Sequence, residues 1–163
     1  MEINRTITNI WTITLHEREV FERVTDESLM ASYQRTAENP KQNDETVITD
    51  DDRAFFERYY RLSLAELSAL LAKRTVRYGG GIINERDPDD GFITTRYTLA
   101  MTCNHESDLV NALASHCLEF IIAKVLEKWY GRGADFGSEV EKQSIRSILN
   151  HRRFPIERPS RPL

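Results

Sequence analysis

This chain is poor in the residues that usually carry covalent or metal chemistry. It has two cysteines, Cys103 and Cys117, and four histidines among 163 residues. Two thiols are too few for a disulfide framework, so a reducing compartment is expected. Continuous apolar runs are also lacking. Met1 to Leu15 mixes Glu2, Asn4, Arg5, Thr6 and Asn9 with its apolar residues, which excludes a signal-peptide core. No later run approaches the length of a membrane span, so cytoplasmic expression and no membrane partner are expected. A large excess of either charge is lacking as well. A net charge of −4 is too mild for the whole surface to be a nucleic-acid or membrane footprint, and any such contact would have to be local.

What is present suffices for a packed domain: 40% of residues are apolar and 29% charged. The length suits one domain, placed at 1–150, followed by an arm over 151–163. Ile10 to Leu15 is β-branched and aromatic and reads as a short extended segment. A helical stripe through Ile3, Ile7, Ile10 and Trp11 is the competing reading. A helix follows from near His16 to about Arg35, carried by Val20, Phe21, Val24, Leu29 and Tyr33, with an interruption expected around Thr25 and Asp26. Asn39 to Thr49 is polar, holds a proline and lacks periodicity, as a surface loop does.

The second helix has a clear start. Thr49 or Asp50 can accept from the free N–H groups of its first turn, and Asp51 and Asp52 complement its dipole. Phe55, Phe56, Tyr59, Tyr60, Leu64, Leu67, Leu70 and Leu71 give it a broad apolar face, ending near Lys73 and Arg74. From Val76 the period shortens to two. Val76, Tyr78, Ile82 and Ile83, then Ile93, Tyr97, Leu99 and Met101, predict a two-stranded hairpin over 76–102 with a polar tip at Asn84 to Gly91. A lone hairpin is marginal, so it must pack on the helices or on a partner. A third long helix, capped by Asn104 or Ser107 and apolar around much of its circumference, should be the central one. Gly131 and Gly133 end it, and Ser138 starts a shorter fourth helix. The fold class expected is mainly α with one β-hairpin (α+β).

Each chemical constellation has a simpler rival. Cys103, His105, His116 and Cys117 offer four zinc-type ligands. His116 and Cys117 are adjacent on a helix and point about 100° apart, which opposes a shared metal. A Cys–His nucleophile pair needs a base within reach and a third orienting group, and no motif surrounds either cysteine. Gly79, Gly80 and Gly81 lack the Lys-Ser or Lys-Thr of a phosphate loop. Glycines in a strand mark a bulge, a twist or a close approach by another backbone, the last of interest if a neighbouring subunit supplies it. Asp87, Asp89 and Asp90 lack calcium-loop spacing and read as turn residues beside Pro88 and Gly91. No catalytic, metal or cofactor residue is therefore assigned.

The arm carries Arg152, Arg153, Arg158 and Arg161 against Glu157, with Phe154, Ile156 and Leu163 set among Pro155, Pro159 and Pro162. Such proline spacing excludes a helix and favours an extended, polyproline-like path. Anchors on a low-entropy backbone suit docking on a partner, and the arginines could also contact phosphates. The candidate partner-binding residues are Arg152, Arg153, Phe154, Pro155, Ile156, Arg158, Arg161 and Leu163, with Gly79, Gly80 and Gly81.

From Thr49-Asp50-Asp51-Asp52-Arg53-Ala54-Phe55-Phe56-Glu57-Arg58-Tyr59-Tyr60 onward, the layout resembles head-to-tail connector proteins of tailed bacteriophages, the neck, adaptor or ring subunits beneath the portal. An acidic cap, an aromatic-rich helix, a hairpin, a long apolar helix and a C-terminal arm run from about Asp50 to Leu163. The resemblance implies a cyclic homo-oligomer, typically twelvefold, without chemistry of its own, in the neck of a virion made in the host cytoplasm. The arm would then lie on a neighbouring subunit or the portal. The hairpin would reach the next ring or line a channel passing DNA. The alternative is a small nucleic-acid-associated protein using the basic tail, whose binding would weaken with salt.

Overall fold

The computed structural model describes residues 9–38, 47–77, 80–101 and 107–150. The expected α+β fold is present. In chain order the elements are β1 (Asn9–His16), α1 (Glu17–Glu38), α2 (Arg53–Leu71), β2 (Ile82–Arg86), β3 (Ile93–Met101), α3 (Ser107–Tyr130) and α4 (Ser138–Leu149).

The hairpin is β2–β3, and it is joined by a third strand. β1 pairs antiparallel with β3 from Asn9↔Met101 to His16↔Thr94, giving the order β1-β3-β2. The extended reading of Ile10 to Leu15 therefore holds, and the partner that a lone hairpin needs is the chain's own N-terminal strand. Alternation explains why this works. Trp11, Ile13 and Leu15 point inward beside Tyr97, Leu99 and Met101, all at most 1% exposed, while Thr12, Thr14 and Arg96 face solvent. The hairpin tip is tighter than Asn84 to Gly91. β2 continues to Arg86, and Asp87 closes the turn, its amide donating to the Phe92 carbonyl and its carbonyl accepting the Gly91 amide.

The helices cover the inner face. α3 packs on α4, α2, α1 and β1, with Leu113, Cys117, Phe120, Ile121, Val125 and Leu126 buried. By length and composition Asp108–Tyr130 would suffice to cross a bilayer, which corrects the expectation that no run approaches that length. Its polar residues interrupt the run in sequence, and the helix gathers its apolar residues onto faces that meet the other helices. α1 runs unbroken through Thr25 and Asp26. Ser28 Oγ donates to Thr25 O (2.9 Å) and accepts the Ile48 amide (2.9 Å), which satisfies the hydroxyl and ties the returning chain to the helix. α2 is entered through a 3-10 turn at Asp50–Asp52, where the Thr49 amide donates to the Asp52 carboxylate at 3.0 Å. Glu127 of α3 supplies the acceptors at the start of α4, taking the Ser138 hydroxyl (2.6 Å) and amide (3.3 Å).

Of the glycine triplet, Gly79 lies outside the described residues. Gly80 adopts φ +90°, a left-handed conformation that side chains resist, and it is exposed. Gly81 is buried, and a Cβ there would come within 2.0 Å of the Val76 carbonyl oxygen. A close backbone approach does occur, and the chain's own Val76 makes it. Val76 N donates to Thr98 O (2.9 Å) and Thr98 N to Gly81 O (2.8 Å), so both segments converge on one residue of β3. The stretch Arg74–Val76 thus extends the β2 edge beyond a bulge.

Replacing Gly81 by Ala should cost about 3 kcal/mol through this overlap, near the upper range of core overpacking. At Gly131, φ is +84° with nothing within 4 Å, so Ala there should cost only about 1–2 kcal/mol of backbone strain. Thermal unfolding of the two variants checks the order. Equal losses would contradict the Gly81 packing.

Candidate functional site

Three surface regions and one buried polar group stand out. The buried group is Glu17, the first residue of α1, at 2% exposure. The β1–α1 junction turns it inward, and its Oε1 accepts the Ile93 amide at 2.9 Å, tying the start of α1 to the start of β3. Loss of solvent raises its pKa above the ordinary carboxyl value. That effect outweighs the Ile93 hydrogen bond and the Arg53 and Arg86 charges, and Glu57 adds to it. The Tyr60 and Tyr97 hydroxyls are buried in the same core and are pushed up by burial, that of Tyr97 to about 12. The Tyr97 hydroxyl shares a 2.8 Å hydrogen bond with Ser68. Thr95 is buried too and donates to Asn84 at 2.7 Å.

The first surface region is a cleft of about 280 Å³ where β1 meets α1, against the hairpin tip. Glu19, Glu22, Asp87 and Asp90 line it with His16 and Arg18. Arg18 is held between Glu22 (3.3 Å) and Asp90 (3.6 Å). Arg53 stacks 3.9 Å over the Phe92 ring and donates to the Asp90 carbonyl, anchoring the tip to α2. Phe21 meets both Phe56 (4.8 Å) and Phe92 (5.6 Å), so the acidic tip sits on an aromatic base.

The second region is basic, a cleft of about 530 Å³ between the ends of α2 and α4. Lys73, Arg74 and Arg146 line it with Leu70, Leu149 and Asn150. Arg74 donates to the Leu149 carbonyl at 3.0 Å. A cation at a helix C-terminus satisfies a free carbonyl and complements the dipole, which accounts for Arg74 without a ligand.

The third feature is a set of exposed apolar side chains spread over three elements. On α1 Leu29, Met30 and Tyr33 are exposed, Tyr33 by 66% and Met30 by 59%; on α2 Phe55 and Leu62 are exposed, and so are Ile82 and Ile83 on β2. Spacings of three and four place the α1 trio on one face.

The remaining sequence candidates divide. Arg152, Arg153, Phe154, Pro155, Ile156, Arg158, Arg161 and Leu163 lie outside the described residues, as do Cys103 and His105. His116 and Cys117 part company: His116 Nδ1 meets Glu141 Oε2 at 2.6 Å, while Cys117 faces the core, its thiol pushed up to about 12 by burial. Asp87 and Asp90 carboxylates accept the Asp89 and Phe92 amides (2.8 and 2.9 Å), the turn chemistry expected of them. Sequence reasoning missed Glu17, because nothing in a Leu-His-Glu-Arg-Glu stretch separates the one inward acid from its solvated neighbours. Comparisons with protein-family models, curated proteins and solved structures found no match.

For an acid whose folded pKa is raised, stability is fully present below the unfolded value and declines as pH rises through the folded one. Glu17→Gln keeps an acceptor for Ile93 and removes the ionisation. It should match the wild type near pH 4 and melt higher at pH 7. A Gln variant that melts lower at pH 7 would show that the ionised carboxylate itself is needed.

Proposed function

We propose that this chain is a structural subunit that assembles with copies of itself, as a head-to-tail connector or neck ring protein of a tailed bacteriophage, on or near the portal. The observation that carries this reading is the exposed apolar trio Leu29, Met30 and Tyr33 on α1, beside a core already filled by Trp11, Tyr60, Tyr97, Phe56 and Phe120. Large apolar side chains left outside a complete core mark surfaces for other molecules. Phe55 and Leu62 on α2 offer a second such face, as the two sides of a heterologous ring contact require. In this reading the chain has no catalysis or cofactor of its own. Arg152 to Leu163 lies on a neighbouring subunit, and the ring is twelvefold as in the family it resembles. The hairpin tip with Asp87, Asp89 and Asp90 is suited to face passing DNA without gripping it.

One observation favours the alternative of a small nucleic-acid-associated protein. The cleft of Lys73, Arg74 and Arg146 reaches Asn150, next in sequence to His151, Arg152 and Arg153. Phosphate contacts there would release counterions, and affinity would fall steeply with salt.

Deleting Arg152 to Leu163 separates the two. The ring reading expects a truncated chain with unchanged thermal unfolding that no longer assembles, seen by sedimentation velocity. Normal assembly after truncation, or collapse of the fold, would contradict it. Salt-sensitive DNA binding that vanishes with the tail, without any change in assembly, would transfer the reading to the alternative.

A further inference from the structure

We infer that the outward face of α1 is the receptor for residues 151–163 of a second copy of this chain, the arm running antiparallel to the helix. This rests on the arm reading above and names the surface that takes the arm. Glu19, Glu22, Asp26, Leu29, Met30 and Tyr33 recur at helical spacing, all exposed, so one face passes from acidic to apolar along the helix. The arm runs in the opposite sense: after Arg152 and Arg153, the apolar Phe154 and Ile156 precede the basic Arg158 and Arg161.

The spacings agree. Glu19 and Asp26 are seven residues apart, two turns and about 10 Å along one ridge. Arg158 and Arg161 are one polyproline turn apart, about 9 Å, and lie on one side of such a helix. With Arg158 at Asp26 and Arg161 at Glu19, Phe154 falls about 12 Å beyond Asp26. Tyr33 stands about 10 Å along from Asp26, next to Met30. Neither Glu19 nor Asp26 forms an ion pair among the described residues, whereas Glu22 is already held by Arg18 and Glu27 by Arg23.

Other occupants fit less well. The segment after α1 returns to Ile48 on the Ser28 side of the helix, more than a quarter-turn from Leu29, Met30 and Tyr33. That segment, Asn39 to Glu45, is no more basic than acidic. α4, which leads into the arm, packs on α3 and α2, whereas α1 packs on α3 and the sheet.

The test places a photo-crosslinking p-benzoylphenylalanine at Tyr33 in the full-length protein. Its exposure makes the replacement harmless to folding. Equal amounts of 14N- and 15N-labelled chains are mixed, irradiated and mapped by mass spectrometry. The expected products join position 33 to a peptide containing Phe154 and Ile156, half of them pairing light with heavy chains. Asp26→Lys should abolish them, and mixing Asp26→Lys chains with Arg158→Glu chains should restore part, because each mixture keeps one native face and one native arm. Products elsewhere in the chain, none at all, or only unmixed labels would overturn the inference. Rings that form without a cross-link to the arm would remove this receptor and leave the ring reading standing.

Discussion

The structure depends on β3 being hydrogen-bonded along both edges. Its partners are the hairpin strand β2, close in sequence, and β1, whose pairs run from His16↔Thr94 to Asn9↔Met101 and so lie far away in sequence. The β1–β3 ladder closes the largest loop in the sheet. Long-range pairing is entropically costly to form and stabilises only when completed. Inward alternation of Trp11, Ile13 and Leu15 against Tyr97, Leu99 and Met101 supplies that reward, and a slip of β1 by one residue would turn its three outward. The helices follow from this ladder. α1 begins where β1 ends, its first residue bonded to the first residue of β3, and α3 crosses the inner face that the ladder creates.

That arrangement separates charge on the surface. The start of α1 and the hairpin tip gather carboxylates around one cleft, while the ends of α2 and α4 gather Lys73, Arg74 and Arg146 around another. Each cleft has a local explanation, in turn chemistry at one and helix C-termini at the other. Acidic and basic groups are thus gathered in different clefts despite a net charge of only −4.

Much of the fold was legible in the sequence because local signals agreed with their context. Thr49 with three aspartates announced α2, and Gly131 and Gly133 closed α3. The change of period after Arg74 marked the strands. What was not legible involved tertiary partners. Asn9–His16 has strand composition, but only Thr94 to Met101 decides that it is one, and no local residue names a partner that far away. The helical break at Thr25 and Asp26 fails for a similar reason, since β-branched and acidic residues disfavour a helix only until packing and Ile48 hold it. Gly81 was legible as a close approach, while its neighbour, Val76, is set by the folded chain. The inward turn of Glu17 depends on the depth of the β1–α1 junction, which composition does not encode.

The central claim is that the exposed faces of α1 and α2 exist for other copies of the chain. Native mass spectrometry of the full-length protein, across a range of concentrations, tests it most directly. The account predicts a closed oligomer of one defined copy number whose mass equals a whole multiple of the chain. A monomer at every concentration, or an open-ended series of sizes, would contradict it.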